Sequence, residues 1–138
     1  MLVAYDEDGR ITHCTIQAEC GFDELAARYT EMGIPHALYD GVVEIWKAYV
    51  VDGEVRIKPP LRIDGELRAI AADGADALRL AIDPPAAWVT VFHGDHQIGQ
   101  EQVTDGAIEF AANYPGHYRI VIDPPFPFMP VDLTIEAT

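Results

Sequence analysis

The dipeptide Asp-Gly occurs six times in 138 residues, at 8–9, 40–41, 52–53, 64–65, 73–74 and 105–106. Asp-Gly tolerates the positive φ angles of tight hairpin turns. Turns this frequent leave room for short antiparallel strands and little else, so the chain is predicted to be mainly β. Pro-Pro recurs at 59–60, 84–85 and 124–125, each time after an alternating apolar run. Proline has no N–H to give to a ladder, so each pair should end a strand. Gly53, Gly106 and Gly116 are assigned structural roles as turn residues on the same grounds.

One segment has helical spacing. Phe22, Leu25, Ala26, Tyr29 and Met32 form a single apolar stripe. Glu24 and Arg28 can pair at i, i+4, and Gly33 and Pro35 supply the stop. The helix is predicted over 22–32. Runs at 2–5 and 11–18 read as strands before it, and 46–51 and 54–58 as a hairpin over Asp52-Gly53 after it. Residues 1–60 thus form a small ββαββ module of α+β character.

Residues 67–138 alternate with period two. Leu78, Leu80 and Ile82 share a face, as do Ala87, Val89 and Val91, then Tyr118, Ile120 and Ile122, then Val131, Leu133, Ile135 and Ala137. Ile108 and Phe110 follow a turn, and weaker runs lie at 67–72 and 97–103. About seven strands at this spacing predict a β-sandwich. Residues 61–66 are read as the linker. Residues 78–85 and 118–125 resemble each other, and both are read as sandwich strands ended by Pro-Pro rather than as a repeat.

Charge narrows the function classes. Twenty-three acids against nine bases give a net charge of −14. Residues 1–66 hold 13 acids and 6 bases and residues 67–138 hold 10 and 3, so each part carries −7. With no basic stripe to neutralise phosphates, neither nucleic acid nor an anionic membrane is an expected partner. No run approaches the ~20 apolar residues of a membrane helix. The first residues show no basic stretch before an apolar one, so no secretion signal is expected. Cys14 and Cys20 are accordingly expected to be reduced.

Candidate chemistry is sparse. His93-Gly94-Asp95-His96 places two imidazoles and a carboxylate close together, but a transition-metal site needs three or four converging ligands. The stretch reads as a turn between strands. His13, Cys14, Cys20 and His36 lack zinc-knuckle spacing, and the thiols read as structural. Asp6, Glu7 and Asp8 cluster without the EF-hand pattern. No phosphate loop, nucleophile elbow or zincin motif is present. The expectation is a non-enzyme with no cofactor and no metal.

Apolar residues on outward faces are more informative. If Ala87, Val89 and Val91 point inward, Trp88 and Phe92 point outward. Phe126-Pro-Phe-Met-Pro130 sets two more rings and a methionine on a stiff extended segment. Trp88, Phe92, Phe126, Phe128 and Met129 are therefore the expected interface residues, the alternative being that they cap the end of the sandwich.

Tyr5-Asp-Glu-Asp-Gly-Arg-Ile11, a short helix, and Ala48-Tyr-Val-Val-Asp-Gly-Glu54 followed by Pro59-Pro60 are similar to small proteins encoded among the tail and tail-fibre genes of tailed bacteriophages. In the second half, Asp105-Gly106 and Pro115-Gly-His-Tyr118 resemble the β-turn and tyrosine corner of Ig-like modules often appended to virion proteins. The resemblance implies a structural, decoration or adhesion role in the virion, assembled in the host cytoplasm. Other virion subunits, or further copies of the chain, would be its partners. It also leaves room for a fibre-assembly chaperone, or for a module that uses Trp88 or Phe92 as a platform for a host-surface glycan. A small metal-dependent enzyme built on His93, Asp95 and His96 is the alternative of another class.

Overall fold

Leu2, Val3 and Ala4 are all excluded from water, although they alternate between the two faces of one strand. A strand apolar on both sides belongs in the middle of a layered structure. In the computed structural model, which describes residues 1–138, β1 (Leu2–Tyr5) is the central strand of a three-stranded antiparallel sheet. Its neighbours are β2 (Ile11–Thr15) and β3 (His36–Leu38). The chain divides into two compact units, Met1–Lys58 and Pro59–Thr138.

In the first unit, α1 (Phe22–Met32) joins β2 to β3. Asp23 and Glu24 meet the positive end of its dipole, and Glu24 pairs with Arg28 at 2.9 Å. Gly33 ends it in the left-handed conformation, its N–H donating to the Thr30 carbonyl. The helix covers one face of the sheet: Tyr29 packs edge-on against His13 and His36, which flank Ala4 in register. The stripe is only half covered, and Met32 lies in solvent. Eleven helical residues span about 16 Å, whereas the four residues of β1 span about 13 Å.

The other face of β1 carries the core of Met1, Val3, Ala37 and Val50. Val50 comes from a hairpin of β4 (Ala48–Val51) and β5 (Glu54–Ile57). Its turn residues Asp52 and Gly53 both have positive φ, the geometry of a two-residue hairpin loop. Gly9, in the β1–β2 turn, accepts a hydrogen bond from Val50 N–H at 2.8 Å, and a Cβ there would overlap the Val50 carbonyl. Two expectations change here. Trp46 lies in a 3-10 turn, Ile45–Lys47, so the strand starts at Ala48. The three residues of β3 are too few to show a period, and pairing with β1 makes them a strand.

The second unit has seven strands: β6 (Arg62–Asp64), β7 (Leu78–Asp83), β8 (Ala87–His93), β9 (His96–Val103), β10 (Ala107–Phe110), β11 (Gly116–Asp123) and β12 (Val131–Ala137). They form two antiparallel sheets, β10-β7-β6 and β12-β11-β8-β9. One core lies between the sheets, with Leu78, Leu80, Ile82 and Ile108 from one and Val89, Ile120, Ile122 and Ile135 from the other. The fold is a β-sandwich, and the protein as a whole is mainly β. No helix is long and apolar enough to cross a membrane.

Residues 61–66 are not a linker. Leu61 is buried, and Ile63 pairs with Ile82 as β6 joins β7. Two apolar side chains two apart find a place on the sheet's inner face, so the division falls at Lys58-Pro59. The run 67–72 is not a strand either. It makes one bridge, Ile70 to Ala137, and is held by the buried Ile70 side chain and by charge. The Arg68 guanidinium donates to both Asp76 oxygens, at 2.7 and 3.1 Å, and Asp76 also accepts Ala71 N–H at 2.8 Å.

Tyr118 is 3% exposed, and its hydroxyl donates to the Tyr114 carbonyl at 2.7 Å. His93 stacks on its ring with centroids 4.4 Å apart, and Phe110 tilts against it at 5.1 Å. Gly116 has φ 141°, and a Cβ there would stand 2.6 Å from His93 Nε2. The edge strand β9 has a register shift opposite Val91 and Phe92, and Glu101 lies opposite Val89, on the face that the core shares.

Two measurements check this packing. Tyr118→Phe should destabilise the protein by roughly 1–3 kcal/mol, because the Tyr114 carbonyl loses its partner; unchanged denaturation would mean the bond is not formed. The Arg68 hydrogen bond, followed by Ala71 N–H, pushes the Asp76 carboxyl down to about 2 from 3.8. A carboxylate with a lowered folded pKa stabilises above its ordinary pKa, and that stabilisation is lost as pH falls through about 2. An NMR titration should find Asp76 ionised at pH 3; a midpoint near 3.8 would show that the clamp is open.

Candidate interaction surface

The period of two that buries Val89, Ile120 and Ile122 turns their neighbours outward. Across the outer face of the four-stranded sheet, one row reads Gln102, Trp88, Asp123. The next reads Gln100, Thr90, Val121, Asp132, and a third reads Gln97, Phe92, Arg119, Thr134. Trp88 is 49% exposed. Phe92 is half-buried, with the Arg119 guanidinium 5.2 Å from its ring centroid and Arg119 Nε donating to Asp132 at 2.7 Å. Of the expected outward pair, Trp88 is the open ring, and Phe92 is roofed by a cation.

The proline-rich segment is less free than its composition suggests. Phe126, Phe128 and Met129 are all half-buried. Phe128 N–H donates to the Pro125 carbonyl and Met129 N–H to the Pro59 carbonyl at 2.9 Å, and Met129 bridges to Pro60. The segment closes the end of the sandwich against its first residues. A separate mouth of about 490 Å³ opens between β9 and β10, with Val89, Val91, Ile108 and Ile120 inside and Glu101 and Glu109 among its lining residues.

The first unit holds apolar surface that the sequence reading missed. Ile16, Met32, Leu38, Val42, Trp46 and Ile57 are each more than half exposed. Trp46 and Ile57 emerge at the open end of the β4–β5 hairpin, where Lys58 N–H donates to the Lys47 carbonyl. Lys47 Nζ lies 4.7 Å from the Trp46 ring centroid. Ile57 continues the inward face of Val55 past the edge of the small core and so stands in solvent.

The titratable candidates do not converge. His93 is occupied by its stack on Tyr118, whereas Asp95 and His96 face solvent at the turn. Successive residues of β2 point to opposite faces: His13 meets the Tyr29 hydroxyl at 3.1 Å on the helix side, and Cys14 packs into the Val3 core. His36 Nδ1 lies 2.9 Å from the Ile34 carbonyl, and Cys20 is a free thiol in the loop before α1. Asp6 accepts the N–H groups of Asp8 and Arg10, while Asp8 pairs with Arg10 at 2.8 Å. The acidic cluster thus shapes its own turn. No three His, Cys, Asp or Glu side chains are grouped to hold a metal ion. Elemental analysis of purified protein is expected to find no stoichiometric transition metal. One equivalent of zinc that is lost in His93→Ala would overturn that.

No protein-family model matches this chain, and no curated protein matches it.

Proposed function

We propose that this protein is a non-enzymatic virion structural component of a tailed bacteriophage, in the tail, fibre attachment or decoration layer, and that it acts by protein–protein assembly. The observation that carries the reading is the apolar surface of the first unit. Its core cluster has four buried members, while six large apolar side chains stand more than half in water. Small units bury too little of their own surface to be indifferent to such exposure. Exposed apolar groups of this kind are what a docking interface covers.

Three further features support it. The three-on-four strand order and the Tyr118 corner suit an Ig-like module of the kind appended to virion proteins. The Asp-Glu-Asp-Gly turn and the Asp52-Gly53 hairpin resemble small proteins of the tail gene region. A net charge of −14 keeps unassembled copies apart and leaves basic or neutral surfaces of other subunits as the favoured contacts.

Mass spectrometry of purified particles is the test. The chain should be present at a fixed ratio to the other tail proteins. Trp46→Ala with Ile57→Ala should lower that ratio several-fold while far-UV dichroism stays unchanged. A chain found in infected cells but missing from mature particles would instead make it an assembly chaperone.

A further inference from the structure

The outer face of the β12-β11-β8-β9 sheet carries a site that assembly through the first unit leaves unused. Trp88 separates two depressions of about 580 and 230 Å³, and it lines both together with Asp123. Gln100 and Thr90 border the larger one and Gln102 the smaller one. We propose that this face binds uncharged saccharides, with a pyranose ring stacked on Trp88 and its hydroxyls held by Gln100, Gln102 and Asp123.

Chemical fit supports this ligand. A pyranose offers an apolar C–H face and a rim of hydroxyls that each donate and accept. An open indole matches the face. Two primary amides, with donors and an acceptor each, and an acceptor-only carboxylate match the rim. All four side chains project from paired strands, which fix their spacing before any ligand arrives. The larger depression is within the ~300–1,000 Å³ range of small-ligand sites.

Charge argues against the competitors. Arg119 shares this face but is bound to Asp132 and lies over Phe92, so its charge is already partnered. Asp123 and the net charge of −14 repel uronates, sulfated glycans and phosphates. A quaternary amine is held by a cage of several rings, and Trp88 is the one aromatic ring lining either depression.

The test is calorimetric titration of the full-length chain with uncharged hexaoses of glucose (α-1,4 and β-1,4), mannose, galactose and N-acetylglucosamine. Hexagalacturonate and choline serve as charged controls. At least one uncharged hexaose should bind saturably and neither control should. Trp88→Ala should abolish that binding, and Gln100→Ala with Gln102→Ala should weaken it tenfold or more, with far-UV dichroism unchanged in both. Binding by no uncharged hexaose, equal or tighter binding of either control, or full binding by Trp88→Ala would overturn the assignment. Particle composition answers a separate question. A chain missing from particles that still binds the sugar keeps this site, and a chain present in particles that binds none loses it.

Discussion

Ile120 and Ile122 are wholly excluded from water, and the second unit is organised around them. They lie on β11, which pairs with β8 on one side and β12 on the other along nearly its full length. Burying each is worth about 1.5–3 kcal/mol, so the register of β11 is fixed by its core face. A slip of one residue would turn both isoleucines into solvent. The same constraint sets the outer surface without further specification. With Tyr118, Ile120 and Ile122 inside, Arg119, Val121 and Asp123 must face out beside Phe92, Thr90 and Trp88. The candidate saccharide face is the reverse side of the core.

The first unit solves its packing differently. Its central strand is apolar on both faces, so one short strand serves two layers, the helix on one side and the β4–β5 hairpin on the other. That economy leaves room for few large side chains, Met1 and Leu2 among them. Others, Met32 and Ile57 among them, run past the edges of strands only four residues long. Exposure in this unit follows from a mismatch of lengths as much as from composition. A partner that covers these ends would complete the layers that the chain leaves short.

How much was legible in the sequence follows the range of the interactions involved. The helix carries its own boundaries in Phe22–Met32 and Gly33, and Asp52-Gly53 carries its own hairpin, so local patterns sufficed for both. The long sandwich strands were legible because one face is buried and the alternation is strict. β3 was not, because three residues hold no period and only pairing with β1 defines it. Residues 61–66 looked like a linker because Asp-Gly and Pro-Pro flank a run too short to display its alternation. Phe126, Phe128 and Met129 looked exposed because proline stiffness is local information, while the bonds to Pro59 and Pro60 bridge about 70 residues of chain. For the site, alternation correctly turned Trp88 outward. The companions Gln100, Gln102 and Asp123 were invisible until strand pairing set them beside it.

Glu101 gives the open mouth between β9 and β10 a chemical gate. An extended segment sliding in beside β9 would meet Val89, Val91 and Ile108, which welcome any apolar side chain. It would also have to strip water from a carboxylate on the inward face of the edge strand, which is costly unless a cation comes with it. A second copy of this chain, with more than two acids for every base, is poorly equipped to supply one. Charge at the mouth therefore weighs against the docking of a second copy of this acidic chain along β9.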